Sequence, residues 1–299
     1  MNKSKIISAK PFLKWAGGKT QLLNEIEKNL PKYFSKNNYT FIEPFVGSGA
    51  VMFWLLNKYP NIKNVIINDI NKDLTDCYLT IKNEVSALIN VLSKWEKEYH
   101  TLNDSIEKRK EYYYEKRVLY NRRKSTKLTQ SALFIFLNRT CFNGLYRVNS
   151  KNEFNVPIGS YKKPQICNSE NLKSVSKLLQ RVIILNGDYS ETLKHTSDNT
   201  LFYFDPPYKP LSETSSFNSY SKDEFNDKQQ IRLKEFCDKL DNEKHQWILS
   251  NSDVKGKDAT NNFFDDLYKR FNIIRVDARR NINANPTKRG KLTELLITN

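Results

Sequence analysis

The sequence predicts an α/β fold: a mostly parallel sheet covered by helices on both faces, with a helical segment inserted into it. Three observations carry this. Seven short apolar runs recur along the chain, helical stretches separate them, and about 110 residues between the second and third runs have a different, charged character. Strands buried on both faces read as near-continuous apolar runs, and parallel strands need crossover connections. At 299 residues the chain is long enough for one large domain or two modest ones.

Taken in order, the first notable stretch is FLKWAGGKTQLL (12–23), which ends in Gly-Lys-Thr like a phosphate-binding loop. That motif requires a glycine where Leu13 stands, and a buried strand where Lys10, Pro11 and Lys14 stand. What survives is a Gly17-Gly18 turn, a helix start at Thr20 and Lys19 aimed at an anion of some kind. TFIEPFV (40–46), NVIINDI (64–70), RVIILNGD (181–188) and TLFYFDPPY (200–208) read as buried strands. HQWILSNS (245–252), FNIIRVDA (271–278) and LTELLIT (292–298) complete the set. Within the long interval, ALINVLSKWEKEYH and SIEKRKEYYYEKRVLYNRRK read as helices, and QSALFIFLNRTCFN as an apolar helix entering a loop. The insertion is therefore placed at 71–165, with 1–70 and 166–299 forming the sheet domain.

The net charge is +16, and it is localised. Residues 107–163 hold 14 basic and 4 acidic side chains, and residues 269–291 hold 8 and 1, which accounts for the whole excess. Such a distribution favours a polyanionic partner over a solvated lysine-rich surface. Cys77, Cys141, Cys167 and Cys237 are scattered, and the three histidines have no metal spacing, so no metal site is expected. Free thiols, with no signal-like apolar core and no run of transmembrane length, point to the cytoplasm and away from a membrane.

Two strand exits carry the chemistry. In FIEPFVGSGAV, a strand runs into Phe45-Val46-Gly47-Ser48-Gly49 and then a helix. Glycines there let the backbone approach a ligand at the carboxyl edge of the sheet. The dinucleotide fingerprint fails because Met52 stands where its third glycine belongs. Asp69 ends the next strand about twenty residues on, suited to ribose hydroxyls, so a nucleoside-containing cofactor fits better than a dinucleotide. The second exit is Asp205-Pro206-Pro207-Tyr208. Two prolines supply no N–H donors and fix the turn. A carboxylate, outward carbonyls and an aromatic face remain, which suits the exocyclic amine of a planar base. If Asp205 and the Pro206 carbonyl each accept one N–H, the nitrogen is drawn toward tetrahedral geometry and its lone pair is freed for attack.

At this point the chain resembles the Dam-type DNA adenine methyltransferase family, through PFLKWAGGK, EPFVGSGAV, INDIN, FNGLYRVNSKNEFNVPIGSYKKP, YFDPPY and LSNSD. These blocks span nearly the whole chain in the order cofactor loop, recognition domain, catalytic tetrapeptide. The resemblance implies a Rossmann-like methyltransferase sheet with helices on both faces plus an inserted helical DNA-recognition domain at 71–165. It also implies S-adenosylmethionine as cofactor and double-stranded DNA as partner. A cognate restriction endonuclease in the same system is left open, as is a host-nucleoid or phage setting.

By the same resemblance Trp15 and Lys19 are cofactor-binding positions, with Lys19 meeting the methionine carboxylate, which answers what anion that lysine would hold. Asp69 and Asp205 share the cofactor site with Phe45, Gly47 and Gly49, and Asp188 looks like an adenine contact. Asp205, Pro206, Pro207 and Tyr208 form the catalytic tetrapeptide. Phe142 would wedge into the duplex where the adenine leaves, and Asn143 would sit by its orphaned partner. Leu145, Arg147 and Pro157 would read flanking pairs, and Lys14, Tyr161 and Lys162 would add base or phosphate contacts. A guanidinium suits guanine in the major groove. Many relatives carry tyrosine where this chain has Phe142, so stacking survives but a hydroxyl contact is lost. The NGLYR and NVP blocks point to GATC. Phe217 and Tyr220 either help close the pocket or belong to the core. A catalytically inert DNA-binding relative and a methyltransferase acting on RNA or another adenine-containing site are the rival readings. Cofactor binding discriminates the first, and competition between DNA and RNA the second.

Overall fold

A computed structural model describes residues 8–15, 19, 22–102, 104–210, 225–279 and 291–299. Gly17, Gly18 and Thr20 of the first loop, and Phe217 and Tyr220, lie outside the described residues.

The seven apolar runs form the strands of one sheet: β1 (Tyr39–Glu43), β2 (Ile62–Asp69), β3 (Val182–Asn186), β4 (Thr200–Phe204), β5 (Gln246–Ser252), β6 (Asn272–Arg279) and β7 (Lys291–Thr298). Their order is β3-β2-β1-β4-β5-β7-β6; the first five run parallel, and β7 is antiparallel to both neighbours. This mixed α/β architecture is a Rossmann-like sheet. Strand order reverses between β1 and β4, and such a switch point opens the crevice where ligands bind.

Side chains alternate faces along a strand, and here both faces are apolar. Phe41, Val65, Ile67, Leu201 and Tyr203 point into one cluster, which is closed by α2 (Ala50–Lys58), α3 (Lys72–Thr101), α5 (Lys127–Thr140) and α6 (Ser169–Leu179). Ile42, Ile66, Phe202 and Phe204 point into the other, under α7 (Asp227–Asn242) and α9 (Phe263–Leu267). The helices α1 (Leu23–Lys28) and α8 (Val254–Lys257) are short.

One expected strand differs. RVIILNGD reads as buried, yet β3 is the sheet edge, and its Ile183 is 46% exposed. Apolar composition reports what one face needs, and an edge strand has a partner on one side only.

The long interval holds α3, α4 (Ile106–Arg122) and α5. α3 begins on the sheet with Leu74, Cys77, Tyr78 and Ile81, passes a non-helical residue at Glu84, and ends against α5, where Tyr99 meets the Phe136 ring edge-on at 5.6 Å. Each of the three helices starts on a side-chain cap, from Asn71, Ser105 and Thr126. Among the described residues, no helix is long and apolar enough to cross a membrane.

Candidate active site and recognition hairpin

The turn after β1 is built by constraint. Gly47 (φ +48°) and Gly49 (φ +71°) take left-handed backbone that side chains resist. Space is also tight: a Cβ on Gly47 would stand 3.0 Å from the Trp15 indole, and one on Gly49 2.8 Å from the Tyr78 hydroxyl, so the neighbouring ring would have to shift. Tyr78 donates to the Gly47 carbonyl (3.0 Å), and the Asn68 amide donates to the carbonyls of Pro44 (3.1 Å) and Gly187 (3.0 Å), lacing three strand exits together.

Asp69 stands at the end of β2 and accepts from Gly47 N–H (3.1 Å) and Asn71 N–H (2.9 Å). Burial raises its pKa to about 6 against those two bonds. Beside it, Ile70 is an exposed apolar side chain (67%). Phe45 packs with the rings of Tyr189 (5.2 Å) and Phe225 (5.7 Å) in the cluster under α7.

At the exit of β4, next to that turn, Asp205 Oδ1 receives the Lys19 ammonium (3.0 Å) and the Ser250 hydroxyl (3.1 Å). Burial raises the Asp205 pKa, while Lys19 and then Ser250 pull it back. Lys19 also sits 4.2 Å from the centre of the Tyr208 ring. The Tyr208 hydroxyl donates to Glu294 on β7 (3.0 Å), and the Pro207 carbonyl accepts from Gln230 on α7 (3.1 Å). Gln230 in turn accepts from Asn251 (3.1 Å). The tetrapeptide is therefore braced from α7, β5 and β7 at once.

Trp15, Lys19, Gly47, Gly49, Asp69, Asp205, Pro206, Pro207 and Tyr208 thus share one edge of the sheet. Asp188 sits apart at the end of β3, where Arg232 holds both its oxygens (2.7 and 2.9 Å) and, with Ser190, lowers its pKa to about 2.

A hairpin follows α5. Phe142 N–H bonds to Pro157 O (2.9 Å) and Asn155 N–H to Arg147 O (3.1 Å); the tip is the turn around Asn149–Asn152, and Asn143, at φ 53°, sits in the single 3-10 turn (Phe142–Gly144) at the base. Phe142 (50% exposed), Asn143, Arg147, Pro157 and Lys162 are exposed, Leu145 and Tyr161 half-buried, and Tyr146, Phe154 and Val156 buried. Arg147 Nε is held by Asn155 (2.8 Å). Trp15 stacks on Tyr146 (5.8 Å, 20°), and Lys14 Nζ lies 3.6 Å from the Tyr161 ring centre. Asn138 is the pin between loop and hairpin. Its side chain accepts from Lys14 N–H (2.8 Å) and donates to the carbonyls of Lys14 (2.7 Å) and Gly144 (3.0 Å).

Sequence reasoning missed Glu43, Glu294, Asn138 and Ile70. Glu43 is 2% exposed and accepts from Met52 N–H in the first turn of α2 (3.0 Å). Burial, then Asp205, push its carboxyl well above the usual range. The available signal was a lone acid in an apolar strand (TFIEPF, LTELLIT) and a lone amide in an apolar helix (FIFLNRT). Three arginines of the basic segment also differ from the expected footprint. Arg109 and Arg117 bond to hairpin carbonyls, and Arg123 pairs with Asp73. A charge count does not register such internal partners.

The donor set fits an S-adenosyl cofactor. A cation and a carboxylate face each other near a glycine turn with its own carboxylate, and an exposed aliphatic side chain adjoins them.

Comparison with known proteins places the chain in a family. Residues 15–282 match the family described as D12 class N6 adenine-specific DNA methyltransferase. Type II methyltransferase M.MjaIII of Methanocaldococcus jannaschii is 52% identical over 98% of this chain and 100% of its own length. The DNA adenine methylase of Haemophilus influenzae is 38% identical over 96% of this chain and 92% of the relative. That of Escherichia coli is 33% identical over 95% and 93%.

Proposed function

This chain belongs to the D12 class of N6 adenine-specific DNA methyltransferases, and from that premise we propose that it methylates the exocyclic amine of an everted adenine in duplex DNA, within GATC, using S-adenosylmethionine. The observation that carries this is the Asp205-Pro206 pair braced at the β4 exit beside the β1 glycine turn.

A bound S-adenosylmethionine supplies an electrophilic sulfonium methyl. The remaining work belongs to the protein. Lys19 and Ser250 both bond to Asp205 Oδ1, and we assign Oδ2 and the Pro206 carbonyl to the two amine hydrogens. The amine nitrogen would lose conjugation with the ring and its lone pair would take the methyl as the carbon–sulfur bond breaks, the bonding pair staying on sulfur, which leaves the nitrogen cationic. The proton it then sheds is acidic, and Asp205, raised in pKa by burial, is placed to receive it. Tyr208, with its hydroxyl held by Glu294, stacks on the base. Trp15, Gly47, Gly49, Phe45 and Asp69 hold the donor, with Asp69 on the ribose and Ile70 against its purine. Lys19 serves the methionine carboxylate as well as Asp205. Asp188 reaches the purine only by sharing its carboxylate with Arg232.

Residues 71–165 act as the recognition domain, and 1–70 with 166–299 as the catalytic one. Phe142 enters the stack as an apolar wedge, Asn143 meets the orphaned base, and Leu145, Arg147 and Pro157 read flanking pairs. Lys14, Tyr161 and Lys162 flank them. The M.MjaIII relative's Type II designation supports a partnership with a restriction endonuclease. The test is transfer of tritiated methyl to duplexes containing GATC or single substitutions of it, followed by methylation-sensitive digestion. Incorporation confined to GATC supports the assignment, and equal incorporation into substituted duplexes refutes the site.

A further inference from the structure

On α4, residues 109, 113, 117 and 121 stand four apart and so share one helix face. Each turns a polar group onto the main chain of segment 154–161. Asn121 grips Phe154 both ways, donating to its carbonyl (3.0 Å) and accepting from its N–H (2.9 Å). The Tyr113 hydroxyl (2.8 Å) and Arg117 Nη1 (3.3 Å) both donate to the Val156 carbonyl. Arg109 Nη1 donates to the Tyr161 carbonyl (3.0 Å). The segment runs antiparallel to the helix: the twelve steps from Arg109 to Asn121 rise about 18 Å, and the seven steps from 154 to 161 can reach about 23 Å at ~3.3 Å per residue, enough to span it.

These four side chains therefore do what a neighbouring strand would do for this outer arm of the hairpin. They bond to backbone, so they hold the arm whatever side chains it displays. Phe154 and Val156 face inward and Pro157 outward, and slippage by one residue would exchange the two faces. Through Asn155 the same arm also orients Arg147. Resting on the reading of this hairpin as the part that meets the target, we propose that Arg109, Tyr113, Arg117 and Asn121 form a positioning rail that sets the register of 154–161 and thereby the discrimination between target sequences. Arg109 and Arg117 act here as inward clamps on the protein's own chain rather than as phosphate contacts.

Asn121→Leu removes both bonds to Phe154 at similar volume, and Tyr113→Phe removes one hydroxyl and keeps the ring. Each is assayed with S-adenosylmethionine on the preferred duplex and on duplexes with one flanking pair changed, across a salt series. Discrimination, the ratio of kcat/KM values, is expected to fall about tenfold in Asn121→Leu and about threefold in Tyr113→Phe. On the preferred duplex kcat stays within about threefold, and the salt slope is unchanged. Unaltered ratios in folded variants overturn the proposal, as does an equal loss on every duplex. If Asn121→Leu does not fold, Tyr113→Phe decides alone. Arg147→Ala is the control. If it relaxes discrimination and the rail variants do not, the rail alone fails. If it too leaves the ratios unchanged, the hairpin is not the reader and the rail falls with that reading.

Discussion

The turn proposed to be catalytic and the hairpin proposed to read the target lie on one molecule but are held by different physics. At the turn the main chain is restricted from within: prolines 206 and 207 fix their own torsions, and Gly47 and Gly49 take left-handed backbone in close quarters with Trp15 and Tyr78. Around them lie carboxylates whose pKa values burial has raised, Asp69, Asp205 and Glu43. The hairpin is held from without, by a helix whose side chains bond to its carbonyls across 33 to 52 residues of sequence. Reacting atoms must be placed within a fraction of an ångström, which short rigid turns achieve. Base-reading side chains must be exchangeable, and a scaffold that bonds only to backbone permits that.

Five expectations sharpen this contrast. Asp205→Ala lowers the methyl-transfer rate by roughly 10³-fold with the fold intact by circular dichroism. Asn138→Ala leaves Lys14 N–H and two carbonyls without their partner in a buried place, and costs about 2–4 kcal/mol in chemical denaturation. Glu294→Leu frees the Tyr208 hydroxyl and slows turnover about tenfold. In a Tyr208→Phe background it adds nothing, and a remaining effect would mean Glu294 acts elsewhere.

The fourth concerns pH. Burial holds Asp69 at about 6 in the free protein, and in the proposed binding mode the ribose hydroxyls bond to its ionised form. Affinity for S-adenosylmethionine therefore falls as pH drops below 6, by up to about tenfold per unit. Calorimetry across that range checks this, and Asp69→Asn flattens the profile. The smallest effect is at Arg232→Gln. Asp188 is depressed to about 2 chiefly by Arg232, so the pair contributes stability above the ordinary 3.8 that fades as pH falls toward 2. Water screens this exposed pair, and the loss near neutrality is under about 1 kcal/mol.

The same contrast explains what could be read in the sequence. All seven strands were legible because a sheet covered on both faces demands apolar runs, and β3 misled only in its burial, since edge position depends on partners. The glycine turn and Asp205-Pro206-Pro207-Tyr208 were legible because their constraints are local. The hairpin's exposed residues came only through family resemblance, because exposure leaves no pattern. Asn138, Glu294 and the Asn121 grip join residues distant in sequence, and no spacing announces them. The basic segment was legible as charge, but not that Arg109 and Arg117 spend it on their own chain.

The central claim is that gripping the amine and reading its neighbours are separable tasks of two separately held regions. Single-turnover methyl transfer by Asp205→Ala and by Arg147→Ala, each on the preferred duplex and on one with a changed flanking pair, tests it most directly. The account predicts that Asp205→Ala loses transfer on both duplexes yet still binds the preferred one more tightly, while Arg147→Ala transfers to both with little preference. Substantial transfer by Asp205→Ala, or undiminished preference in Arg147→Ala, would contradict it.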